Sequence, residues 1–309
     1  IFSSSNLVKK IDLMIESQKH RAPDSQGVFI GKNISIGMGR LKIIDLKSKN
    51  LNPILGKRYV LAYNGEIYNY KELKSELSQL GHKFITKSDS EVLLKCWEQW
   101  GTKLFSRLNG MYAFVIFDKF KRKLYLARDI PGEKPLYYFF NGKDFIFSSE
   151  AKAIKKIINL EPNKEKSFFN SFQYCLEDTL WKNLKQVKPA NYITFDLRTK
   201  KIITNEYWIL KRRKVNKYEI QDELEYLLKE SLRIRLRSDV KLGVYYSGGV
   251  DSSLLSSLHN FDYKFYFNDK KNYLNDFKSK IKKIVHHLDF PVGSLSSYPL
   301  YTLASRAKK

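Results

Sequence analysis

The stretch Tyr245-Tyr246-Ser247-Gly248-Gly249-Val250-Asp251-Ser252-Ser253 decides how the second half of the chain folds. The apolar run from Leu242 to Tyr246 predicts a buried strand, and the residues after the stretch have the spacing of one helix face, at Leu254, Leu255 and Leu258. A strand, a turn of small residues and a helix start together favour an anion site. Glycines let the backbone approach a ligand, and the first N–H groups of a helix have no intrahelical partner. The sequence therefore predicts a phosphate or pyrophosphate site here.

Asp251 is an anion inside a site that suits anions. We therefore expect it to hold a Mg²⁺ ion shared with the phosphates, because Mg²⁺ takes carboxylate oxygen as a ligand. The stretch fits neither the Walker A pattern nor G-x-G-x-x-G. It resembles the S-G-G-x-D-S pyrophosphate loop of ATP pyrophosphatases, enzymes that release AMP and pyrophosphate. That resemblance implies an ATP site formed by Ser247, Gly248, Gly249, Val250, Asp251, Ser252 and Ser253. The alternative is a plain Ser/Gly turn.

Composition limits the classes of protein to consider. The 309 residues leave room for two domains, and an apolar fraction of 43% is enough for packed cores. No run of 18 apolar residues occurs and no secretory signal is visible, so we expect no membrane partner. The two cysteines, Cys96 and Cys175, give neither a disulfide framework nor a metal spacing, which indicates a cytoplasmic protein.

The formal net charge of +24 raises the question of nucleic-acid binding. The lysines are scattered rather than concentrated, and no nucleic-acid motif accompanies them. The charge is therefore interpreted as solvated surface lysine, and no nucleic-acid partner is predicted.

Hydrophobic periodicity predicts a β-rich first part. Residues 1–58 are expected to alternate short strands with loops. Two helices are expected, one over 70–80 and one that begins at Ser88 and buries Cys96. Strands are predicted at 112–117, 123–127, 136–140, 144–148, 192–195 and 201–207, with a hairpin at Asn141-Gly142. The basic run Leu210-Lys211-Arg212-Arg213-Lys214 is the predicted linker.

Two positions in the first part are ambiguous when taken alone. The run from Gly39 to Asp45 predicts a buried strand with Arg40 at its entry, where a lone arginine is usually a surface charge. The Asn64-Gly65 pair ends the apolar strand 59–63, and such a pair is usually a turn. Its other interpretation is that the Asn64 amide and the Gly65 N–H both point at one developing oxyanion.

Together these pieces resemble the class II glutamine amidotransferases of the asparagine synthetase family, over nearly the whole chain. The resemblance rests on an ordered set of short motifs: His20-Arg21-Ala22-Pro23-Asp24, Arg40-Leu41, Ile43-Ile44-Asp45, Asn64-Gly65-Glu66-Ile67-Tyr68-Asn69, Ser88-Asp89-Ser90-Glu91, Leu108-Asn109-Gly110-Met111, Arg128-Asp129, Lys134-Pro135-Leu136-Tyr137-Tyr138, Ser149-Glu150, Tyr207-Trp208, the Ser247 loop and Ser297-Tyr298-Pro299-Leu300-Tyr301.

The resemblance implies a fold and a division of labour. The expected fold is α+β followed by α/β. A four-layer αββα N-terminal-nucleophile glutaminase domain is expected at 1–209, a linker at 210–217, and a partial Rossmann-like ATP-pyrophosphatase domain at 218–309. In the family an N-terminal cysteine attacks glutamine, and its own α-amino group is the base. The second domain uses ATP to adenylate a carboxylate, usually aspartate, and ammonia passes between the domains. A homodimer is compatible with the resemblance.

The resemblance also gives roles to residues of the first part. Arg40 would bind the glutamine α-carboxylate, a task that suits a guanidinium. Asp89, with Glu66, would hold the ammonium group. Asn64 and Gly65 would form the oxyanion hole, so this context favours the second interpretation of that pair. Ile43 completes the implied glutamine site.

The chain departs from the family pattern at several places. It begins at Ile1-Phe2, so the nucleophilic cysteine is not in this sequence, and neither Cys96 nor Cys175 stands at a free N-terminus. Ala22 replaces a usual glycine, the stretch between Ser253 and His287 is short, and the chain stops at Lys309. A fragment truncated at both ends, or a degenerate copy, is therefore expected. The alternatives to asparagine formation are transfer to a sugar or natural-product carboxylate, and a non-catalytic glutamine-binding fragment.

Overall fold

The computed structural model describes residues 1–3, 6–49, 52–163, 177–212, 220–267, 273–290 and 292–308. The chain divides into two compact units, Ile1–Arg212 and Arg213–Lys309. Cys175 and most of the predicted linker lie outside the described residues. The assignment of a glutaminase and an ATP-binding function to the two parts, with the boundaries given above, stays a prediction.

The first unit contains a large antiparallel sheet. Its strands are β3 (Ile54–Leu55), β4 (Tyr59–Ile67), β5 (Gly110–Asp118), β6 (Lys123–Arg128), β10 (Asn191–Asp196) and β11 (Ile202–Glu206). They lie in the order β11-β10-β6-β5-β4-β3. Apolar side chains on both faces of this sheet show that it is covered on both sides.

A second layer of strands packs against the first. It consists of the pair β1 (Ser25–Gly31) and β2 (Ile34–Arg40), and the three strands β7 (Tyr137–Phe140), β8 (Phe145–Ser148) and β9 (Leu184–Gln186). Phe2 bridges to both Ile34 and Phe145, and so joins the two groups of strands. The predicted hairpin is present, since β7 and β8 pair antiparallel across Asn141-Gly142.

Helices cover the outer faces of both strand layers. Helices α2 (Tyr70–Gln79) and α3 (Asp89–Trp100) cover the large sheet, and α1 (Leu7–Ser17) and α4 (Ala151–Lys155) cover the second layer. Three buried apolar clusters separate the four layers, one between the two strand layers and one under each pair of helices. This arrangement confirms the predicted αββα fold class.

Two predictions about the first unit have opposite outcomes. The expectation that residues 1–58 contain only strands and loops is wrong, because Leu7–Ser17 forms a helix that buries Ile11 and Met14. By contrast, Cys96 lies in the core as predicted. Burial raises the pKa of its thiol to about 12, so it is not a reactive thiolate.

The second unit is mixed α/β. Its elements are α5 (Ile220–Arg235), β12 (Gly243–Tyr246), α6 (Val250–Leu258), β13 (Tyr263–Tyr266), α7 (Tyr273–Leu288) and α8 (Ser297–Ala307). Strands β12 and β13 pair in parallel, and α6 forms the connection between them. This βαβ unit agrees with a partial Rossmann-like domain.

The expected burial of the strand before the Ser247 loop is wrong, and the helix after the loop is also largely uncovered. Val244 is the only buried residue of β12, and Leu254 and Leu255 of α6 are 37% and 38% exposed. The physical reason is that a sheet of two strands has too little area to bury both faces of its own elements. None of the helices in the described residues has the length and apolar character to cross a membrane.

Candidate functional site

The first unit contains a cavity of about 450 Å³. All six residues predicted for glutamine binding line it, although they come from distant parts of the sequence: Arg40, Ile43, Asn64, Gly65, Glu66 and Asp89. They are supplied by the end of β2, the loop after it, the end of β4 and the start of α3. The fold therefore brings the predicted set together.

The predicted strand from Gly39 to Asp45 is wrong, because β2 ends at Arg40 and a loop follows it. Arg40 is buried, and its guanidinium holds the backbone of that loop. It donates to the carbonyl oxygens of Ile44 at 2.9 Å, Asp45 at 3.0 Å and Ser48 at 3.1 Å. A guanidinium has five N–H groups, so donors remain for a carboxylate in the cavity. Arg40 is a buried wall residue rather than a surface charge.

Asn64 carries an unsatisfied donor. Its Nδ2 is buried and has no hydrogen-bond partner among the described residues. Buried polar atoms in folded proteins are nearly always hydrogen-bonded, so such an atom in a cavity wall is suited to a ligand oxygen. The position is not a tight turn, because Asn64 and Gly65 both pair with β5 inside β4.

Gly65 stands where no side chain fits. A Cβ atom there would lie 2.1 Å from the carbonyl oxygen of Met111 and 2.7 Å from Cα of Tyr112. The absence of a side chain therefore lets β4 and β5 approach closely beside the cavity.

Two carboxylates lie near each other in the cavity wall. Asp89 is buried, and its Oδ2 accepts hydrogen bonds from Tyr63 Oη at 2.8 Å and from the Ile67 N–H at 3.1 Å. Burial raises the pKa of Asp89. Burial and then the charge of Asp89 raise the pKa of Glu66. A cation beside the two acids would relieve both effects, so this part of the cavity suits an ammonium group.

Three further residues belong to this site and had no predicted role. Lys134 and Arg21 add positive charge to the cavity wall, and Tyr63 fixes Asp89. Arg21 and Lys134 both belong to motifs quoted above, but sequence alone gave neither a role. Ile1 lines the same cavity, and its nitrogen donates to the carbonyl oxygen of Ser35 at 2.7 Å.

In the second unit the predicted phosphate loop joins β12 to α6. Gly249 is the N-cap residue of α6, and Gly248 has a φ of +77°, a conformation that favours glycine. The Ser247 and Ser252 hydroxyls lie 3.1 Å apart, and the Gly249 N–H donates to Ser247 Oγ at 3.3 Å. These exposed groups are the hydrogen-bonding atoms that a polyphosphate would meet.

Asp251 is exposed in the first turn of α6. In the described part of the chain no three His, Cys, Asp or Glu side chains are grouped to hold a metal ion. One carboxylate with phosphate oxygens is nonetheless a common Mg²⁺ environment in phosphate-binding proteins. Asp251 thus fits a metal that arrives with the nucleotide, and does not fit a site built from protein ligands alone.

Comparison with known proteins identifies the family. The glutamine amidotransferase domain family matches residues 2–208, and the asparagine synthase family matches residues 223–268. A Methanocaldococcus jannaschii protein assigned as glutamine-hydrolysing asparagine synthetase 2 is 33% identical over 365 aligned residues, which cover all of this chain and 70% of that protein. The chain belongs to the glutamine-hydrolysing asparagine synthetase family.

Other comparisons agree with this family. Asparagine synthetase 1 of Bacillus subtilis is 34% identical over 98% of this chain, and the chain spans about half of it, 53%. The solved glutamine phosphoribosylpyrophosphate amidotransferase of B. subtilis shares the fold, with a TM-score of 0.50 at 17% identity over 83% of this chain and 61% of that one. Family membership confirms the predicted enzyme class, a ligase of the asparagine synthase type.

Proposed function

We propose that the cavity of the first unit binds L-glutamine for hydrolysis of its side-chain amide. The observation that carries this proposal is the convergence of Arg40, Asn64, Glu66 and Asp89 on one cavity. The spare guanidinium donors suit the α-carboxylate, and the two carboxylates suit the α-ammonium group. The unpaired Nδ2 of Asn64 suits the oxyanion that forms at the side-chain carbonyl.

We propose further that the attacking thiolate belongs to a cysteine before Ile1 in the whole protein. Ile1 lines the cavity, so a residue joined to its nitrogen would lie close to the cavity. The α-amino group of that cysteine would take the thiol proton. Attack on the amide carbon would then place negative charge on the oxygen beside Asn64. The protonated amino group would give its proton to the amide nitrogen, so that ammonia leaves and a thioester remains. Water would then hydrolyse the thioester to glutamate and restore the thiol.

For the second unit we propose ATP as the ligand of residues 247–253. The amides at the start of α6 and the serine hydroxyls would bind phosphate oxygens. When bound, Mg²⁺ would neutralise phosphate charge beside Asp251. The proposed overall reaction converts aspartate, glutamine and ATP to asparagine, glutamate, AMP and pyrophosphate. A cytoplasmic location and a homodimer stay predictions.

Calorimetric titration tests the first part of the proposal. The chain should bind L-glutamine and discriminate against D-glutamine, because three separate groups contact the three substituents of the α-carbon. Glu66→Gln should weaken binding at least about tenfold, since it removes one carboxylate from the ammonium site. Glu161→Gln is the matched control, because Glu161 is exposed and does not line the cavity.

A product assay tests the overall reaction. The whole protein with glutamine, aspartate, ATP and Mg²⁺ should release AMP and pyrophosphate and form asparagine. If another carboxylate drives pyrophosphate release and aspartate does not, the acceptor is different but the reaction is still ATP-dependent amide synthesis. If no carboxylate drives pyrophosphate release, the proposed synthesis is wrong.

A further inference from the structure

Lys134 lines the same cavity as Glu66 and Asp89, and the proposed reaction gives it no task. Its side chain is half-buried. Lysine is rarely withdrawn from water without a partner, because removal of its hydration is costly. The charged groups around Lys134 should therefore account for its position in the cavity wall.

The loop that carries Lys134 is held from one side by Asp129. That carboxylate is fully buried and accepts three backbone hydrogen bonds. The donors are the N–H groups of Glu133 at 2.7 Å, Tyr112 at 3.0 Å and Lys134 itself at 3.0 Å. Asp129 thus ties the loop to strand β5.

Arg128 holds the same loop from the other side. Its guanidinium donates to the carbonyl oxygens of Gly132 at 2.7 Å, Lys134 at 2.9 Å and Val187 at 3.0 Å. Gly132 has a φ of +74°, and a Cβ there would lie 2.8 Å from Cγ of Pro189. The buried Asp129, the half-buried Arg128 and a glycine therefore fix the backbone at Lys134, so its side chain starts from a defined point in the cavity wall.

Four charged groups face the Lys134 ammonium. Arg21, Glu133 and Asp129 each have other surroundings: Arg21 Nη1 lies 3.4 Å from Glu150 Oε1, Glu133 is exposed, and the Asp129 oxygens accept the three N–H groups. Glu66 is the fourth. Within the described residues neither Glu66 nor Lys134 forms an ion pair within 4.0 Å, and both line the same cavity.

Opposing effects act on the pKa of Glu66. Burial and Asp89 raise the pKa of its carboxyl, and the Lys134 charge opposes them. Burial lowers the pKa of Lys134, and Glu66 opposes that effect. Each group thus favours the charged form of the other.

We propose that Lys134 is a positioning residue that keeps the Glu66 carboxylate in the cavity wall ionised beside Asp89, ready for the α-ammonium group of the substrate. This inference rests on the proposed function, because it assumes that an amino acid enters the cavity. It adds a residue that acts through Glu66 and touches no reacting atom.

Lysine variants test the role with L-glutamine as the probe. Lys134→Met removes the charge and keeps the side-chain length, Lys134→Arg keeps the charge, and Lys143→Met is the control on an exposed hairpin. Binding is measured by calorimetry from about pH 4.5 to about pH 8. Lys134→Met should weaken binding about tenfold near pH 6 and move the acid limb of the binding curve to higher pH. Lys134→Arg and Lys143→Met should behave like the unmodified chain.

A double-mutant cycle with Glu66→Gln tests whether Lys134 acts through Glu66. In the Glu66→Gln background, Lys134→Met should have no further effect on glutamine binding. The inference is overturned if Lys134→Met leaves the acid limb in place, tightens binding at every pH, or has the same effect in both backgrounds.

Carbon NMR titration of the Glu66 carboxyl separates this inference from the proposed function, because it needs no ligand. The signal is assigned by its loss in Glu66→Gln, and its midpoint should rise in Lys134→Met. A midpoint that does not move refutes the role of Lys134, whether or not glutamine binds. A midpoint that moves in a chain that binds no glutamine refutes the proposed function and leaves the coupling of Lys134 to Glu66 intact.

Discussion

The Tyr63 hydroxyl donates a hydrogen bond of 2.8 Å to Oδ2 of Asp89, and this bond joins strand β4 to the first residue of α3. Both residues are buried, so the bond is shielded from water. Charge-assisted hydrogen bonds are stronger than neutral ones. The strand that supplies Asn64, Gly65 and Glu66 to the cavity thus also fixes the carboxylate that comes from the helix.

Tyr63→Phe should lower both stability and glutamine affinity. The substitution removes one donor from a buried carboxylate, which should cost about 1.5–3 kcal/mol of the free energy of unfolding. Loss of the donor should also raise the pKa of Asp89 further, so the carboxylate becomes a weaker partner for ammonium. Urea unfolding and calorimetric titration measure the two effects. Tyr125→Phe is the control, and equal losses in both variants would contradict the role of the bond.

Asn64→Ala should separate stability from catalysis. Because Nδ2 of Asn64 has no partner among the described residues, its removal should leave the free energy of unfolding unchanged or raise it. The glutaminase kcat of the whole protein should nonetheless fall about 10²–10³-fold, as expected for loss of one oxyanion donor. Thermal unfolding and ammonia release measure the two quantities. A large loss of stability with little change in kcat would show that Asn64 is structural.

Glu66→Gln should change how stability depends on pH. The pKa of Glu66 is raised above its ordinary value of 4.5, so its contribution to stability is full below that value and is lost as pH rises through the folded pKa. Glutamine does not titrate. The stability of Glu66→Gln relative to the unmodified protein should therefore increase from about pH 4 to about pH 7. Denaturant unfolding at several pH values measures this difference, and a decrease over that range would contradict the direction of the shift.

Asp251→Asn should affect Mg²⁺ and not folding. The side chain is exposed, so the free energy of unfolding should change by less than about 0.5 kcal/mol. The Mg²⁺ concentration that half-saturates pyrophosphate release in the whole protein should rise about tenfold or more. Asp222→Asn is a matched control, because Asp222 is also an exposed acid in the first turn of a helix of the second unit. Equal responses of the two variants would exclude a specific role.

Periodicity predicted six strands of the first unit to within about two residues, because strands covered on both faces have strongly apolar sequences. It ended β4 too early and wrongly placed a strand after Arg40. It missed α1, although Leu7, Ile11 and Met14 have helical spacing. The polar residues between them weakened that pattern. In the second unit the strand and helix beside the Ser247 loop were predicted in the correct places, but the strand was wrongly predicted to be buried, since burial depends on neighbouring elements that a local pattern does not reveal.

The candidate site shows the same limit. Sequence motifs identified six of the residues that line the cavity. The Asn64-Gly65 pair taken alone favoured a turn, and only the rest of the family pattern indicated an oxyanion hole. Tyr63 and Lys134 have no local signal for their positions, because Tyr63 meets Asp89 and Lys134 faces Glu66 only after distant segments fold together. The sequence therefore identified the residues proposed to bind glutamine, but it did not identify Tyr63 and Lys134, which act on two of them.

The bridges from Phe2 to Ile34 and Phe145 have a consequence for the order of folding. A contact between residues more than a hundred positions apart closes a long loop, and such contacts slow the folding of a chain. During synthesis Phe2 leaves the ribosome before Phe145. The second strand layer therefore cannot be completed until residue 145 has been synthesised. Ile1 is next to Phe2 and lines the cavity. The cavity should therefore be among the last parts of the first unit to reach its native shape.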